Sequence, residues 1–258
     1  MRQNKLNELD GKAWLKFTKT WFVHNPKARG AREKLHPAKF PESLIEEFIL
    51  FFTKKGETVL DPFLGTGSTL VACDSTGRRG IGIELLEKYA VIARERTKQK
   101  VIEGNALEVD KLVDNVDFVI TSPPYGPMLN KKGLAQEKRE EEKLDTKYSE
   151  EESDLGNVHD YGMFIEKLAG VFKKVKKILK EKGYLVIIIQ NYRDGGVYRT
   201  LAWDVAKALS AEYTLVGERM WCQDNKTLYP YGMGYSFVPN VHHHYCLVLR
   251  NDKTGISP

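Results

Sequence analysis

From about residue 42 onward, apolar runs of strand length alternate with stretches whose apolar positions repeat at helical spacing. Residues 43–52 are apolar on one face and follow Pro41, a residue type found at helix starts. Residues 57–61 (ETVLD) predict a strand, 68–75 a helix, 80–84 (GIGIE) a second strand and 86–98 a helix. Residues 100–103 and 116–121 predict the third and fourth strands. Residues 161–182 predict a long amphipathic helix, with Phe164, Leu168, Val171, Phe172, Val175 and Leu179 on one face. The run 184–190 (YLVIIIQ) is the most apolar, as a central strand covered on both faces should be. A helix near 201–210 and strands near 213–219 and 245–249 complete an α/β pattern with a mainly parallel sheet.

Composition narrows the class. With 258 residues, 41% hydrophobic and 29% charged, the chain can bury a core, which excludes overall disorder. No apolar run approaches the roughly 20 residues that span a bilayer. The N-terminal residues place no apolar stretch behind their charges, so the expectation is a cytoplasmic protein. Cys73, Cys222 and Cys246 lie far apart, which argues against a disulfide framework or a zinc site. No metal is expected.

Charge is uneven. Residues 1–40 hold ten Lys and Arg against Glu8, Asp10 and Glu33, a balance of +7, and the other 218 carry −2. Residues 1–41 therefore read as a basic arm packed on a domain at 42–258. Trp14, Phe17, Trp21 and Phe22 are interleaved with Lys12, Lys16 and Lys19, the mixture that phosphate neutralisation and base stacking would use. A solvated helix with its aromatics packed inward competes with that reading. A charged insertion at about 127–158 breaks the rhythm; within 130–154, six basic residues face nine acids. It is too long for an ordinary connection.

Two motifs carry chemistry. Asp61-Pro62-Phe63-Leu64-Gly65-Thr66-Gly67-Ser68 joins a strand to a helix, where glycines permit a tight turn and let a ligand approach the backbone. It lacks the GxGxxG of a dinucleotide site and the GK[ST] of a P-loop. About twenty residues on, Glu84 ends the next strand, where a carboxylate can accept from both ribose hydroxyls. Thr121-Ser122-Pro123-Pro124-Tyr125 ends the fourth strand in a rigid corner that cannot continue a ladder. In an open α/β sheet that corner opens into the crevice at the carboxyl ends of the strands. Asn191 and Tyr192 end the apolar strand at the same edge, and Tyr231 and His243 belong to an aromatic stretch expected to line the substrate cleft. Alternation into a strand sends adjacent members of His242–His244 to opposite faces, which disfavours a metal site.

DPFLGTGST followed by TSPPY resembles the S-adenosylmethionine-dependent amino-methyltransferases of nucleic acids, the N4-cytosine/N6-adenine family. The resemblance implies a Rossmann-like methyltransferase sandwich, a mainly parallel sheet with an antiparallel C-terminal strand. Ser-Pro-Pro-Tyr is similar to the branch that makes N4-methylcytosine, and implies Ser122, Pro123, Pro124 and Tyr125 as catalytic residues. His36, Pro37 and Phe40 resemble the motif beside the methionine end of the cofactor. Asp61, Pro62, Phe63, Gly65, Gly67, Ser68, Glu84, Asn105 and Thr121 complete the implied cofactor site, with Asn105 standing where an Asp commonly faces the adenine amine. The cofactor motif precedes the catalytic motif, the reverse of many restriction-associated cytosine-N4 enzymes.

Physically, cytosine N4 is a poor nucleophile because its lone pair is delocalised. Acceptors for both amino hydrogens, the Ser122 hydroxyl and the Pro123 carbonyl, would free it. No cysteine stands near the corner in sequence, which argues against carbon-5 methylation. Tyr125 would stack on a flipped base and Phe63 line the sulfonium. The likeness favours DNA as partner, with ribosomal RNA the competing substrate. A protein-glutamine methyltransferase would carry Asn where Ser122 stands. A non-catalytic nucleic-acid-binding subunit would not need the corner.

Overall fold

The computed structural model describes residues 4–25, 40–126 and 154–252; His36, Pro37 and most of the charged insertion lie outside them. Asp10 caps α1 (Gly11–Phe17) by accepting the Ala13 N–H at 2.7 Å, and β1 (Trp21–Val23) follows. Pro41, in extended conformation, launches α2 (Glu42–Phe52). The chain continues through β2 (Thr58–Asp61), α3 (Ser68–Thr76), β3 (Arg79–Glu84), α4 (Glu87–Arg96) and β4 (Lys100–Glu103). Then come α5 (Val109–Leu112), β5 (Val116–Thr121), α6 (Tyr161–Ile178), β6 (Leu179–Ile189), the hairpin β7 (Tyr192–Asp194) and β8 (Val197–Arg199), α7 (Leu201–Leu209), β9 (Thr214–Cys222) and β10 (His243–Arg250).

The eight-stranded sheet has the order β1-β9-β10-β6-β5-β2-β3-β4. Every pairing is parallel except those of β10 with β6 and β9. This is the mainly parallel Rossmann-like sandwich with an antiparallel C-terminal strand. Both faces are covered, and β6 shows it: Leu185, Ile187 and Ile189 enter one core with α6 and α7, while Val186 and Ile188 enter the other with α2. A period of two splits one apolar run between two cores.

Three departures from the sequence reading have physical causes. First, α6 ends at Ile178 rather than residue 182. Leu179 pairs with Val116 instead, the register shifts between Val116 and Phe118, and Lys182 bends the strand at φ +60°. Second, the arm contributes α1 and an extra edge strand, β1, whose partner β9 lies some 200 residues away. Third, three of the four aromatics interleaved with Lys12, Lys16 and Lys19 pack inward. The Phe17 ring stacks on Phe51 at 4.0 Å, Trp14 and Phe22 join the same core, and the Arg219 guanidinium covers Phe17 and Phe22 at 4.0 and 4.2 Å. Trp21 faces outward with Lys19 Nζ 3.5 Å from its ring. Among the described residues no helix is long and apolar enough to cross a membrane.

Candidate active site

The two motifs are tied together at Asp61. Its carboxylate accepts from the Thr121 hydroxyl at 2.5 Å, the Thr69 hydroxyl at 2.5 Å and the Phe63 N–H at 3.1 Å. Burial pushes this carboxyl above the usual carboxylate range, and the three donors pull the other way. The end of β2, the start of α3 and the end of β5 therefore share one anchor. Asp61 and Thr121, expected against the cofactor, spend their polar atoms on each other and stay buried outside the cleft wall.

Gly65 (φ +57°) and Gly67 (φ +91°) take left-handed conformations, as the turn into α3 requires. The loop is held on both sides. Gly65 N–H donates to Glu84 Oε2 at 2.7 Å and Leu86 N–H to Glu84 Oε1 at 3.0 Å. Behind the loop, Arg96 donates to the Thr66 carbonyl at 2.5 Å and pairs with Glu42 at 2.6 Å. The Ser68 hydroxyl donates to that same Glu42, at 3.0 Å, so Ser68 faces α2 and not the cleft.

The cleft encloses about 610 Å³, counting the space open at its mouth. Pro62, Phe63, Glu84, Asn105, Ser122 and Pro124 line it, six of the expected site residues. Burial lifts the Glu84 carboxyl to about 7, the charges of Asp61 and Asp154 add to that lift, and the two N–H donors oppose it. The Asn105 side-chain oxygen accepts the Leu107 N–H at 2.9 Å and so caps its own 3-10 turn. Sequence reasoning missed Asp154 and Leu155 in the cleft wall. The Asp154 carboxylate accepts the Gly156 N–H at 2.7 Å and opens a short 3-10 turn. That cap signature, Asp154 before Gly156, was present but hidden at the end of an acidic run.

At the second motif, Ser122 Oγ is buried and makes no hydrogen bond of ordinary geometry among the described residues, though it lies close enough to Tyr125 to oppose the rise of its phenol. Tyr125, expected to stack on the target base, is instead buried outside the cleft wall, its phenol pushed up by desolvation and its ring nearly parallel to Tyr192 with centroids 6.5 Å apart, so it backs the corner. The Tyr192 hydroxyl is also buried without a hydrogen-bond partner among the described residues. Asn191 is fully buried and accepts the Ala202 N–H at 2.8 Å, so it anchors α7 rather than reaching the cleft. His243 is half-buried, edge-on to Tyr245 at 5.1 Å, while Tyr231 is exposed and stacked on Tyr229 at 5.5 Å. Phe40 packs against Trp221 at 6.1 Å, away from the cleft wall. One cysteine comes closer than sequence distance implied: Cys246 registers electrostatically on Tyr125. Desolvation drives its fully buried thiol to about 12, so it is inert as a nucleophile.

Comparison with known proteins extends these observations. Residues 2–95 match the N6/N4 methylase family, described as DNA methylases. The orphan methyltransferase M.BamHII of Bacillus amyloliquefaciens is 36% identical over 91 residues, 34% of this chain and 34% of that protein. The type II methyltransferase M2.DpnII of Streptococcus pneumoniae is 49% identical over 61 residues, 24% of this chain and 23% of that one. The matched stretches thus span about a third or less of these relatives. TrmN from Thermus thermophilus superposes with a TM-score of 0.56 at 15% identity, over 86% of this chain and 52% of that one, a likeness of fold alone. The matches support the N4/N6 amino-methylase family that the motifs resemble, and with it S-adenosylmethionine as cofactor.

Proposed function

We propose that the chain transfers a methyl group from S-adenosylmethionine to the exocyclic N4 amine of cytosine in DNA. The observation that carries this reading is the Asp61–Thr121 tie, which fixes a glycine-loop cofactor site and a Ser-Pro-Pro-Tyr corner in one cleft. The residues present fit the cofactor. Glu84 offers carboxylate lone pairs beyond its two N–H contacts for ribose hydroxyls, and Pro62, Leu85, Leu86 and Ala106 offer apolar walls for a flat base. When bound, the cofactor supplies an electrophilic methyl group on a sulfonium.

The chain's own residues do the rest. Ser122 Oγ, on the cleft wall, accepts one amino hydrogen, and the Pro123 carbonyl accepts the other. Holding both hydrogens draws the nitrogen towards a pyramidal shape and stabilises the positive charge that grows on it. Two successive prolines keep the corner from relaxing, so this positioning is already built before substrate arrives. Tyr125 and Tyr192 brace the corner from the buried side.

The test is incubation with labelled S-adenosylmethionine and unmethylated duplex DNA, single-stranded DNA or ribosomal RNA, followed by digestion to nucleosides. The expected product is N4-methylcytosine from DNA. Ser122→Ala should lower kcat roughly 100-fold with little change in cofactor affinity, because it removes a contact that strengthens in the transition state. A digest containing only N6-methyladenine refutes the choice of base, and label confined to ribosomal RNA refutes the choice of partner.

A further inference from the structure

Between β9 and β10 lies a loop, residues 223–242, that is tied firmly to itself yet presents apolar side chains to water. The Asn240 side chain brackets Tyr229, accepting its N–H and donating to its carbonyl, each at 2.9 Å. Within that bracket the Gly232 carbonyl accepts from Tyr235 and Ser236 at 3.0 and 2.9 Å. Gly232 is required there: at φ +66°, a Cβ would lie 2.4 Å from the Ser236 carbonyl oxygen. From this frame Leu228, Met233, Tyr235 and Phe237 project, Tyr235 99% and Phe237 87% exposed. A single exposed apolar residue needs no explanation, but a run of them on a self-bonded loop marks a surface awaiting a partner.

The loop's place narrows the partner. β9 runs parallel to β6, through β10 between them, so the loop leaves the sheet at the edge where Ser122 stands. Gln190 Nε2, at the end of β6, donates to the carbonyls of Val241 and His243 at 3.1 and 2.9 Å. Two residues further on, Tyr192 faces Tyr125. The loop base is thus joined to the candidate corner. The N-terminal arm meets the loop at its base: Asn25 is hydrogen-bonded to Asp224 at 2.7 Å, and Phe40 lies against Trp221 at the end of β9.

We infer that this loop enters a DNA duplex, Tyr235 and Phe237 stacking into the space vacated when the target base turns out towards Ser122. The inference rests on the amine-methylation reading above. A base can reach a corner inside a cleft only by leaving the duplex stack, and the enzyme must offset that unstacking. Apolar side chains inserted at a base step do so, and aromatic faces stack on any neighbouring base.

The experiment compares the parent with a Tyr235→Ala/Phe237→Ala double variant on unmethylated plasmid DNA, native and heat-denatured. The variant should lose about 100-fold in kcat/KM on native duplex and less than about threefold on the denatured form, where no unstacking is needed. Calorimetric affinity for S-adenosylhomocysteine and the melting temperature, both unchanged, show that the fold and cofactor site survive. Equal losses on both DNA forms, or none on duplex, overturn the inference. So does sedimentation showing a parent dimer that the double variant splits, since the loop would then bind a second copy of the chain. If the parent methylates neither DNA form, the functional reading itself fails and the inference falls with it.

Discussion

Glu84 titrates near neutrality because the loop that buries it supplies only two N–H donors against a desolvated carboxylate with two other acids nearby. Its folded value of about 7 lies above the ordinary 4.5, so the folded chain holds the extra proton between those values and, from this group, loses stability as pH rises through that window. Cofactor binding should run the other way. Ribose hydroxyls donating to Glu84 favour the ionised form, so below pH 7 binding must expel a proton, and affinity falls by up to about tenfold per pH unit. Calorimetry with S-adenosylhomocysteine should show affinity rising from about pH 5.5 to 7.5 and then levelling. Glu84→Gln should flatten the profile and lower affinity at pH 8. A flat profile for the parent would mean that the ribose is not held by this carboxylate.

The turn between β2 and α3 works because an element can approach it closely. At Gly67, a Cβ would come within 3.0 Å of Ala93 Cβ and 3.2 Å of Ala93 Cα on α4, in addition to the strain of φ +91°. Gly77 closes the same helix at φ +69° with nothing within 4 Å. Gly77→Ala should therefore cost about 1–2 kcal/mol in denaturant unfolding, the left-handed strain alone. Gly67→Ala should cost about 1–3 kcal/mol more from overpacking, and should also weaken cofactor binding. Equal costs would mean that α3 and α4 are not in tight contact. The alternation of β2–β6, β9 and β10 with their helices was legible because the central strands are apolar and the long helices are periodic; the β7–β8 hairpin, three residues in each strand, left no such pattern. The glycine loop, Glu84 and the Ser122 corner were legible because spacing along βα units fixes them. What was not legible depends on distant partners: β1 is three residues long and is a strand only because Met220–Cys222 pairs with it. Ser68 turned from the cleft because Glu42 lies on a helix 26 residues away, and Asp61 became an anchor through Thr121, 60 residues on.

Seen as a whole molecule, the basic arm divides into two parts with different neighbours. Its first part crosses the end of the sheet remote from the candidate corner. Phe17 packs on Phe48, Phe51 and Phe52 in the last turns of α2, the Asn7 side chain donates to the Phe51 carbonyl, and Arg78 approaches Glu8 at 3.6 Å. The opposite end of α2 carries Glu42, which meets Ser68 at the cofactor loop. Lys12 and Lys16 therefore ride on α1 near the wrong end of α2 to touch DNA seated over Ser122. Only after β1 does the arm reach the edge of the candidate corner, where His24 N–H donates to the Cys222 carbonyl at 3.1 Å and Asn25 meets Asp224. Sequence pattern grouped Lys12, Lys16 and Lys19 as one phosphate-binding set; the fold separates the first two from the edge that a duplex would occupy. A Lys12→Gln/Lys16→Gln variant should then keep the parent's slope of log affinity against log salt on duplex DNA, with a small uniform loss from the weakened long-range field. If instead the slope flattens by about 0.7–0.9 for each lysine removed, both side chains neutralise phosphates directly, and the bound DNA must wrap from the candidate corner around the edge of the sheet to α1.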